Sequence, residues 1–306
     1  MGTPEFAVPG LQKLLQSNHT ICGVVTTPDR PAGRGKRITP SPVKIEALKS
    51  DLAILQPESL QDSGFVRQLR EWKPECIIVV AFRILPPLIF TIPVLGTINL
   101  HASYLPFYRG AAPINWVLIN GENRTGLTTF MIAEKVDVGE ILLQQEIIID
   151  PDETAGELSA RMALNGSDLV LETINRLEQG TVSTHPQPEG DYPRAPKLTK
   201  ELCSINWNKS AFQVHNLVRG LSPVPGAVTL YKGNLIKILR TKIISERLEK
   251  NELPGTIVTA NPKEGLVVHC GTGLLAIHVL MREGKRGLEV NAFLSGFPIE
   301  KGSKFN

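Results

Sequence analysis

Cysteine is scarce in this chain and long apolar runs are missing, and each shortage closes off a class of answer. Cys22, Cys76, Cys203 and Cys270 are the four cysteines in 306 residues, with no C-x-x-C spacing, which argues against a zinc ribbon or a disulfide framework and fits a reducing compartment. No apolar stretch reaches the length of about 18 residues that a membrane-spanning helix needs. Met1-Gly2-Thr3-Pro4-Glu5-Phe6 lacks a basic-then-apolar leader, and Phe6 stands where a myristoylation signal carries Ser or Thr. A cytoplasmic address with no membrane attachment is expected. Neither G-x-G-x-x-G nor G-x-x-x-x-G-K-[ST] follows a strand pattern, so dinucleotide and nucleoside triphosphate binding lack their usual phosphate cradle. His19, His185, His215, His269 and His278 are dispersed without ligand spacing, and no metal is expected. What remains, 42% hydrophobic beside 21% charged residues, is the composition of a globular chain long enough for two domains.

The net charge of +3 hides an asymmetry. Residues 1–190 carry 16 Lys and Arg against 21 Asp and Glu, a balance of −5, whereas residues 191–306 carry 17 against 9, a balance of +8. A basic C-terminal third suits a polyanionic partner such as nucleic acid, with a merely soluble basic domain as the plainer alternative.

Strand-like and helix-like segments alternate in the first half. Thr20 to Thr26, Leu52 to Gln56 and Glu75 to Phe82 are short β-branched or apolar runs, with the amphipathic stretch Gly64 to Trp72 between the second and third. This rhythm predicts a doubly wound parallel sheet with ligands at the carboxyl ends of its strands. Gly126 to Ile132 and Ile141 to Ile149 read as a further strand pair, and Thr154 to Gln179 as a long helix ending at Gly180. From Thr181 to Thr199 the chain is rich in Pro, Thr and charge, as an extended linker would be. Beyond it, Val228 to Tyr231, Leu235 to Lys242, Gly255 to Thr259, Leu266 to Cys270 and Leu274 to Leu280 are short strands parted by turn residues. Five such strands suit a small β-barrel of the oligonucleotide-binding (OB) type, and a generic β-domain fits the pattern almost equally well.

One segment concentrates chemistry. In Ile98-Asn99-Leu100-His101 the two-residue period of a strand sends Asn99 and His101 to one side and Ile98 and Leu100 to the other. An amide and an imidazole presented together suit acyl transfer to an amine: Asn99 donates to the developing oxyanion and His101 takes the ammonium proton. Asp137, in Val136-Asp137-Val138-Gly139, is the candidate third member, orienting the imidazole and stabilising its cation. Read alone, an Asn-x-His is more often a pair of capping or core polar residues than a catalytic pair. A second feature, Asp29-Arg30-Pro31-Ala32-Gly33-Arg34-Gly35-Lys36-Arg37, is a basic loop with two glycines that could reach phosphates beside the site, or simply a solvated surface.

Taken together these residues resemble the methionyl-tRNA formyltransferase family over nearly the whole chain. The resemblance is carried by Met1-Gly2-Thr3-Pro4-Glu5-Phe6-Ala7-Val8-Pro9, the Pro28 to Lys36 loop, Ser41-Pro42-Val43-Lys44, Asn99-x-His101 with Asp137, and Arg109-Gly110-Ala111-Ala112-Pro113-Ile114. It implies a Rossmann-like formyltransferase catalytic domain over residues 1–183, a linker over 184–203 and an OB-like tRNA-binding domain over 204–306. The implied activity is transfer of the formyl group of 10-formyltetrahydrofolate to the α-amino group of initiator methionyl-tRNA. A monomer with no obligate protein partner is the default expectation. Asn99, His101 and Asp137 would be catalytic. Ser103, Tyr104, Leu105 and Pro106 match a folate-contacting turn, and Phe82, Ile84 and Leu85 fall where the pterin pocket is lined. Arg30, Arg34, Lys36 and Arg37 would bind tRNA, with Arg34 entering the acceptor-stem region.

The chain departs from the family pattern in several places. Its Met-Gly-Thr-Pro motif opens the sequence where the family has a complete first strand, which leads to the expectation of a start upstream and of unpaired strand edges beside the gap. Arg83 and Lys135 replace glycines near the folate pocket, at a cost if either position needs positive φ. Tyr104 for leucine and Val224 for tryptophan read as tolerated packing variation. The rival expectations are a formyltransferase acting on a small amine, such as an amino sugar nucleotide, and a catalytically silent RNA-binding relative.

Overall fold

The computed structural model describes residues 1–32, 37–247 and 253–306. They form two compact units: Met1–Gly110 with Thr125–Ile147 and Ser159–Arg194, and Ala111–Arg124 with Ile148–Leu158 and Ala195–Asn306.

In the first unit, short β-branched runs become strands: β1 (Val24–Val25), the hairpin β2 (Arg30–Ala32) and β3 (Arg37–Thr39), β4 (Ile54–Leu55), β5 (Ile77–Val80) and β6 (Thr97–His101). Next come the short β7 (Arg109–Gly110), then β8 (Arg124–Met131) and β9 (Ile141–Ile148). β1 pairs with β4 and β5 with β6, both in parallel, as the alternating pattern predicts. β6 then pairs antiparallel with β8, so the four-stranded sheet, ordered β5-β6-β8-β9, is mixed where an all-parallel sheet was expected. The reason lies in the connection: a parallel neighbour needs its crossover to return the chain to the same end of the sheet, and β8 runs the other way.

Met1 and Gly2 occupy the place between β1 and β5. Gly2 N–H donates to the Val25 carbonyl at 3.1 Å, Val80 N–H donates to the Met1 carbonyl at 2.9 Å, and the Met1 ammonium donates to the Ile78 carbonyl at 2.5 Å. Burial pushes that ammonium down to about 5, because the charged form loses its water. Next to this short bridge is an apolar cavity of about 150 Å³ bounded by Ile21, Val24, Trp72 and Ile77.

Helices cover the sheet. α1 (Val8–Leu15) precedes β1, α2 (Pro42–Lys49) follows β3, α3 (Ser63–Glu71) follows β4, and a short α4 (Pro87–Phe90) precedes β6. Asp62 caps α3 by accepting from Phe65 N–H at 2.7 Å, and Phe65 and Leu69, one turn apart, point into the core with Val79 and Ile89. The long helix α6 (Ala155–Glu178) packs on β6: Leu100 lies so close that a Cβ on Gly166 would sit 2.7 Å from its Cδ2. That contact commits Leu100 to the helix layer and leaves Asn99 and His101 on the opposite face of the strand.

The second unit holds α5 (Pro113–Ile119), β10 (Arg194–Ala195), which begins in the first unit, and α7 (Ala211–Leu221). Five longer strands follow: β11 (Ala227–Tyr231), β12 (Asn234–Ser245), β13 (Ile257–Asn261), β14 (Gly265–His269) and β15 (Leu274–Arg282), with the short β16 (Leu288–Glu289) and α8 (Val290–Gly296) at the end. All are antiparallel, in the order β11-β12-β15-β14-β13, with β16 on β15. Among the described residues the path does not close: its ends, β11 and β13, are not partners, so the expected barrel is observed as an open sheet. α7 opens with a reciprocal capping box between Ser210 and Gln213 and buries Val214, Val218 and Leu221 against the sheet. Trp207 stacks on Phe305 at 5.6 Å, closing the core. No helix among the described residues is long and apolar enough to cross a membrane.

Candidate active site

His101 ends β6, 6% exposed, with its ring edge-on to Phe130 of the adjacent strand at 6.5 Å. Its Nε2 lies 3.1 Å from the Tyr108 carbonyl oxygen. A carbonyl only accepts, so Nε2 carries hydrogen, and the lone pair of the neutral ring is on Nδ1. Nδ1 faces Asp137 Oδ1 at 4.0 Å, beyond hydrogen-bond reach but close enough for a carboxylate to stabilise an imidazolium. Asp137 Oδ2 meanwhile accepts from Gly110 N–H at 3.0 Å. Orientation of the ring therefore comes from the Tyr108 carbonyl, and charge comes from Asp137.

Asn99, two residues earlier on the same strand, is half-buried, and its side-chain amide has no hydrogen-bond partner among the described residues. It stands on the His101 side by strand alternation, with its donors uncommitted. The structure thus brings His101 and Asp137 face to face and sets Asn99 on the same side of the sheet.

The two turns that serve His101 are held in an uncommon backbone conformation. Tyr108 has φ 58° and Asp137 φ 56°, the left-handed region that non-glycine residues rarely enter and that costs about 1–3 kcal/mol each. Close approach holds the second turn: a Cβ on Gly139 would lie 1.6 Å from the Met131 carbonyl oxygen, so this hairpin admits only glycine there.

The turn after His101 is pinned by side chains. Ser103 Oγ donates to the Phe107 carbonyl at 2.6 Å. Thr128 Oγ1 donates to the Ser103 carbonyl at 2.8 Å while accepting from Leu105 N–H at 3.1 Å and Gln144 Nε2 at 3.0 Å. Leu105 is buried beneath, Tyr104 and Phe107 are exposed, and the Leu105–Pro106 peptide is cis. Ser103 and Leu105 therefore act as framework, and Tyr104 and Phe107 are the members of this turn that present rings to solvent.

Of the residues matched to a pterin pocket, Ile84 is exposed, Phe82 half-buried and Leu85 buried in the core. Arg83 turns away, donating to the Pro57 and Glu58 carbonyls at 2.8 and 2.9 Å. Neither Arg83 nor Lys135 has positive φ; the left-handed residues are their neighbours Ala81 and Asp137. The backbone cost anticipated at the two replaced glycines therefore does not arise.

Arg30 and Arg37 are exposed on the β2–β3 hairpin, while Arg34 and Lys36 lie outside the described residues. The stem is anchored at its base. Asp29 accepts from Lys44 at 2.6 Å and from Gln56 at 2.8 Å, and these two hydrogen bonds, Lys44 first, hold its carboxyl below the ordinary range. Thr26 and Ser41 hydroxyls meet at 2.7 Å beside it.

Three residues of the site carry no signal in the sequence. The Tyr108 carbonyl and the Gly110 N–H are backbone groups whose letters say nothing of their partners. Gln187 sits in the proline-rich stretch read as a linker, yet it donates to the carbonyls of Asp137 and Gly139.

An imidazole facing a carboxylate, with an uncommitted amide on the same side of the sheet, suits acyl transfer, and comparison with known proteins gives the class. Residues 1–174 match the formyl transferase family model and residues 197–298 the model for the formyl transferase C-terminal domain. The chain is therefore a formyltransferase. It is 45% identical to a methionyl-tRNA formyltransferase from Clostridium botulinum (98% of this chain, 96% of that one). It is 42% identical to one from Alkaliphilus oremlandii (99% and 97%). This chain belongs to the methionyl-tRNA formyltransferase family. Among solved structures, an N-formyltransferase from Helicobacter canadensis in complex with folinic acid and dTDP-3-aminofucose shares the fold, with TM-score 0.66 and 19% identity over 90% of this chain and 97% of that one.

Proposed function

We propose that this enzyme formylates the α-amino group of initiator methionyl-tRNA with 10-formyltetrahydrofolate as donor, and that Asn99, His101 and Asp137 perform the transfer. The observation that carries the reading is the division of labour around His101: Nε2 is committed to a carbonyl and Nδ1 is left open toward a carboxylate.

The amine attacks the formyl carbonyl, and a tetrahedral intermediate forms with a negative oxygen and a protonated nitrogen. The Asn99 amide donates to the oxygen, a contribution of about 3–4 kcal/mol for one well-placed donor. His101 Nδ1 takes the proton from the attacking nitrogen, and the resulting imidazolium faces Asp137. Collapse breaks the bond to the folate nitrogen, which leaves as an amine by taking the proton back from the His101 imidazolium, and the formyl group stays on the aminoacyl nitrogen. Ile84, Phe82 and Tyr104 supply apolar surface for the folate ring, with Leu85, Ser103, Leu105 and Pro106 shaping the turn beneath.

Arg30, Arg34, Lys36 and Arg37 reach the phosphates of the acceptor end, and the basic C-terminal third, residues 191–306, holds the rest of the tRNA. The enzyme works in the cytoplasm as a monomer. The deciding assay supplies 10-formyltetrahydrofolate with either charged initiator tRNA or a small amine such as an amino sugar nucleotide. Formylmethionyl-tRNA is expected; turnover of only the small amine, or tRNA binding without turnover, overturns the assignment.

A further inference from the structure

We propose that Gln187 is a positioning residue for formyl transfer, the central tie of a strap that residues 185–193 lay across the two turns serving His101. The inference rests on the roles given above to His101 and Asp137.

One side-chain amide spans the site. Gln187 Nε2 donates to the carbonyls of Asp137 (3.0 Å) and Gly139 (2.8 Å), using both its hydrogens. Its Oε1 accepts from Arg109 Nε (2.9 Å) and Nη2 (2.5 Å), using both its lone pairs. Carbonyls only accept and a guanidinium only donates, so the orientation of the amide is forced and its capacity is full. Arg109 precedes Gly110, whose N–H holds the Asp137 carboxylate, so the strap ties the carboxylate's carrier to its hydrogen-bond donor.

The strap is anchored on both sides of this tie. His185 and Ile141 exchange backbone hydrogen bonds at 2.8 and 2.9 Å, one turn beyond Asp137. At the other end Tyr108 N–H donates to the Pro193 carbonyl at 2.7 Å, and Tyr192 packs edge-on against Phe107 at 4.9 Å. Tyr108 and Asp137 both face the ring nitrogens of His101, and both sit in the left-handed region, which a side chain keeps only when its surroundings over-determine it. Residues 185–193 add to that determination, beside the close approach at Gly139. A chain segment that served only as a spacer would have no need of a fully used amide at its centre.

The test is steady-state kinetics of Gln187→Met and Gln187→Glu in the full chain, alone and combined with Asp137→Asn. Methionine keeps the length and removes all four hydrogen bonds; glutamate keeps the acceptor for Arg109 and sets a carboxylate against two carbonyls. Both are expected to lower kcat about 10- to 100-fold with KM for either substrate within about twofold and an unchanged melting temperature. In the Asp137→Asn background either change is expected to cost nothing further, since Gln187 acts through Asp137. If kcat stays at the parent value in a folded Gln187→Met or Gln187→Glu variant, or if the losses multiply in the double variant, the proposal is wrong while the site reading stands. If Asp137→Asn alone leaves kcat unchanged, the site reading fails and takes this inference with it.

Discussion

His101 Nδ1 and Asp137 Oδ1 stand 4.0 Å apart, whereas the imidazole's hydrogen bond runs from Nε2 to the Tyr108 carbonyl. Histidine and aspartate in an acyl transfer site are commonly linked by a direct bond that fixes the tautomer. Here a backbone carbonyl fixes it, and the carboxylate is set to meet charge that arises during the reaction.

Asp137→Asn tests that assignment. The amide side chain keeps an oxygen for Gly110 N–H but carries no charge. Turnover is expected to fall ~10²- to 10⁴-fold with tRNA affinity unaltered, read by single-turnover formylation beside a tRNA binding titration. A matching loss of tRNA affinity would show instead that the turn itself had been disturbed.

The hairpin arginines make a separate, electrostatic prediction. Arg30 and Arg37 are exposed on β2 and β3, so replacing either with alanine leaves the Asp29–Lys44–Gln56 anchor intact. Each lost phosphate contact should flatten the dependence of log affinity on log salt by about 1. Titrations of initiator tRNA between low and moderate salt check this; a parallel line for a variant means that its arginine touches no phosphate.

Gly139→Ala places a methyl group 1.6 Å from the Met131 carbonyl oxygen, where only backbone movement can make room. A destabilisation of about 3 kcal/mol or more is expected by chemical denaturation, together with loss of activity, because the same hairpin turn carries Asp137.

His215 gives the second unit a pH dependence. It is 4% exposed on α7, with Nδ1 3.0 Å from the Thr241 hydroxyl and Nε2 3.3 Å from the Pro151 carbonyl. Burial, the largest influence, lowers its pKa from the ordinary 6.5. Below that value the unfolded chain binds a proton that the folded one refuses, so stability falls as pH drops through about 6.5. Unfolding midpoints at pH 7.5 and pH 5.5 should show a smaller loss for His215→Asn than for the parent protein. An unchanged pH slope would assign the acid sensitivity to other groups.

Much of this protein was legible in its letters. Ile77-Ile78-Val79-Val80 is apolar on both faces and became a largely buried strand, and the turns Lys232-Gly233-Asn234 and Gly271-Thr272-Gly273 part strands where turn chemistry says they should. The two-residue period of β6 put Asn99 and His101 on one side because a pleated backbone leaves no other choice. Such features depend on residues within a few positions of one another, where sterics and local hydrogen bonding are decisive.

Tertiary structure decided the rest. Strand direction at β8 depends on which end of the sheet the chain re-enters, and no letter records it. The stretches 111–124 and 148–158 belong to the second unit through contacts such as Asn115 with Gly220 and Gly156 with Ser222, more than sixty positions apart along the chain in each case. The working geometry around His101 is built from a carbonyl at Tyr108, an amide at Gly110 and a side chain from Gln187. Backbone groups are the same in every residue and a glutamine has no fixed purpose, so only the folded chain, by placing them within 3 Å or so of their partners, gives them one.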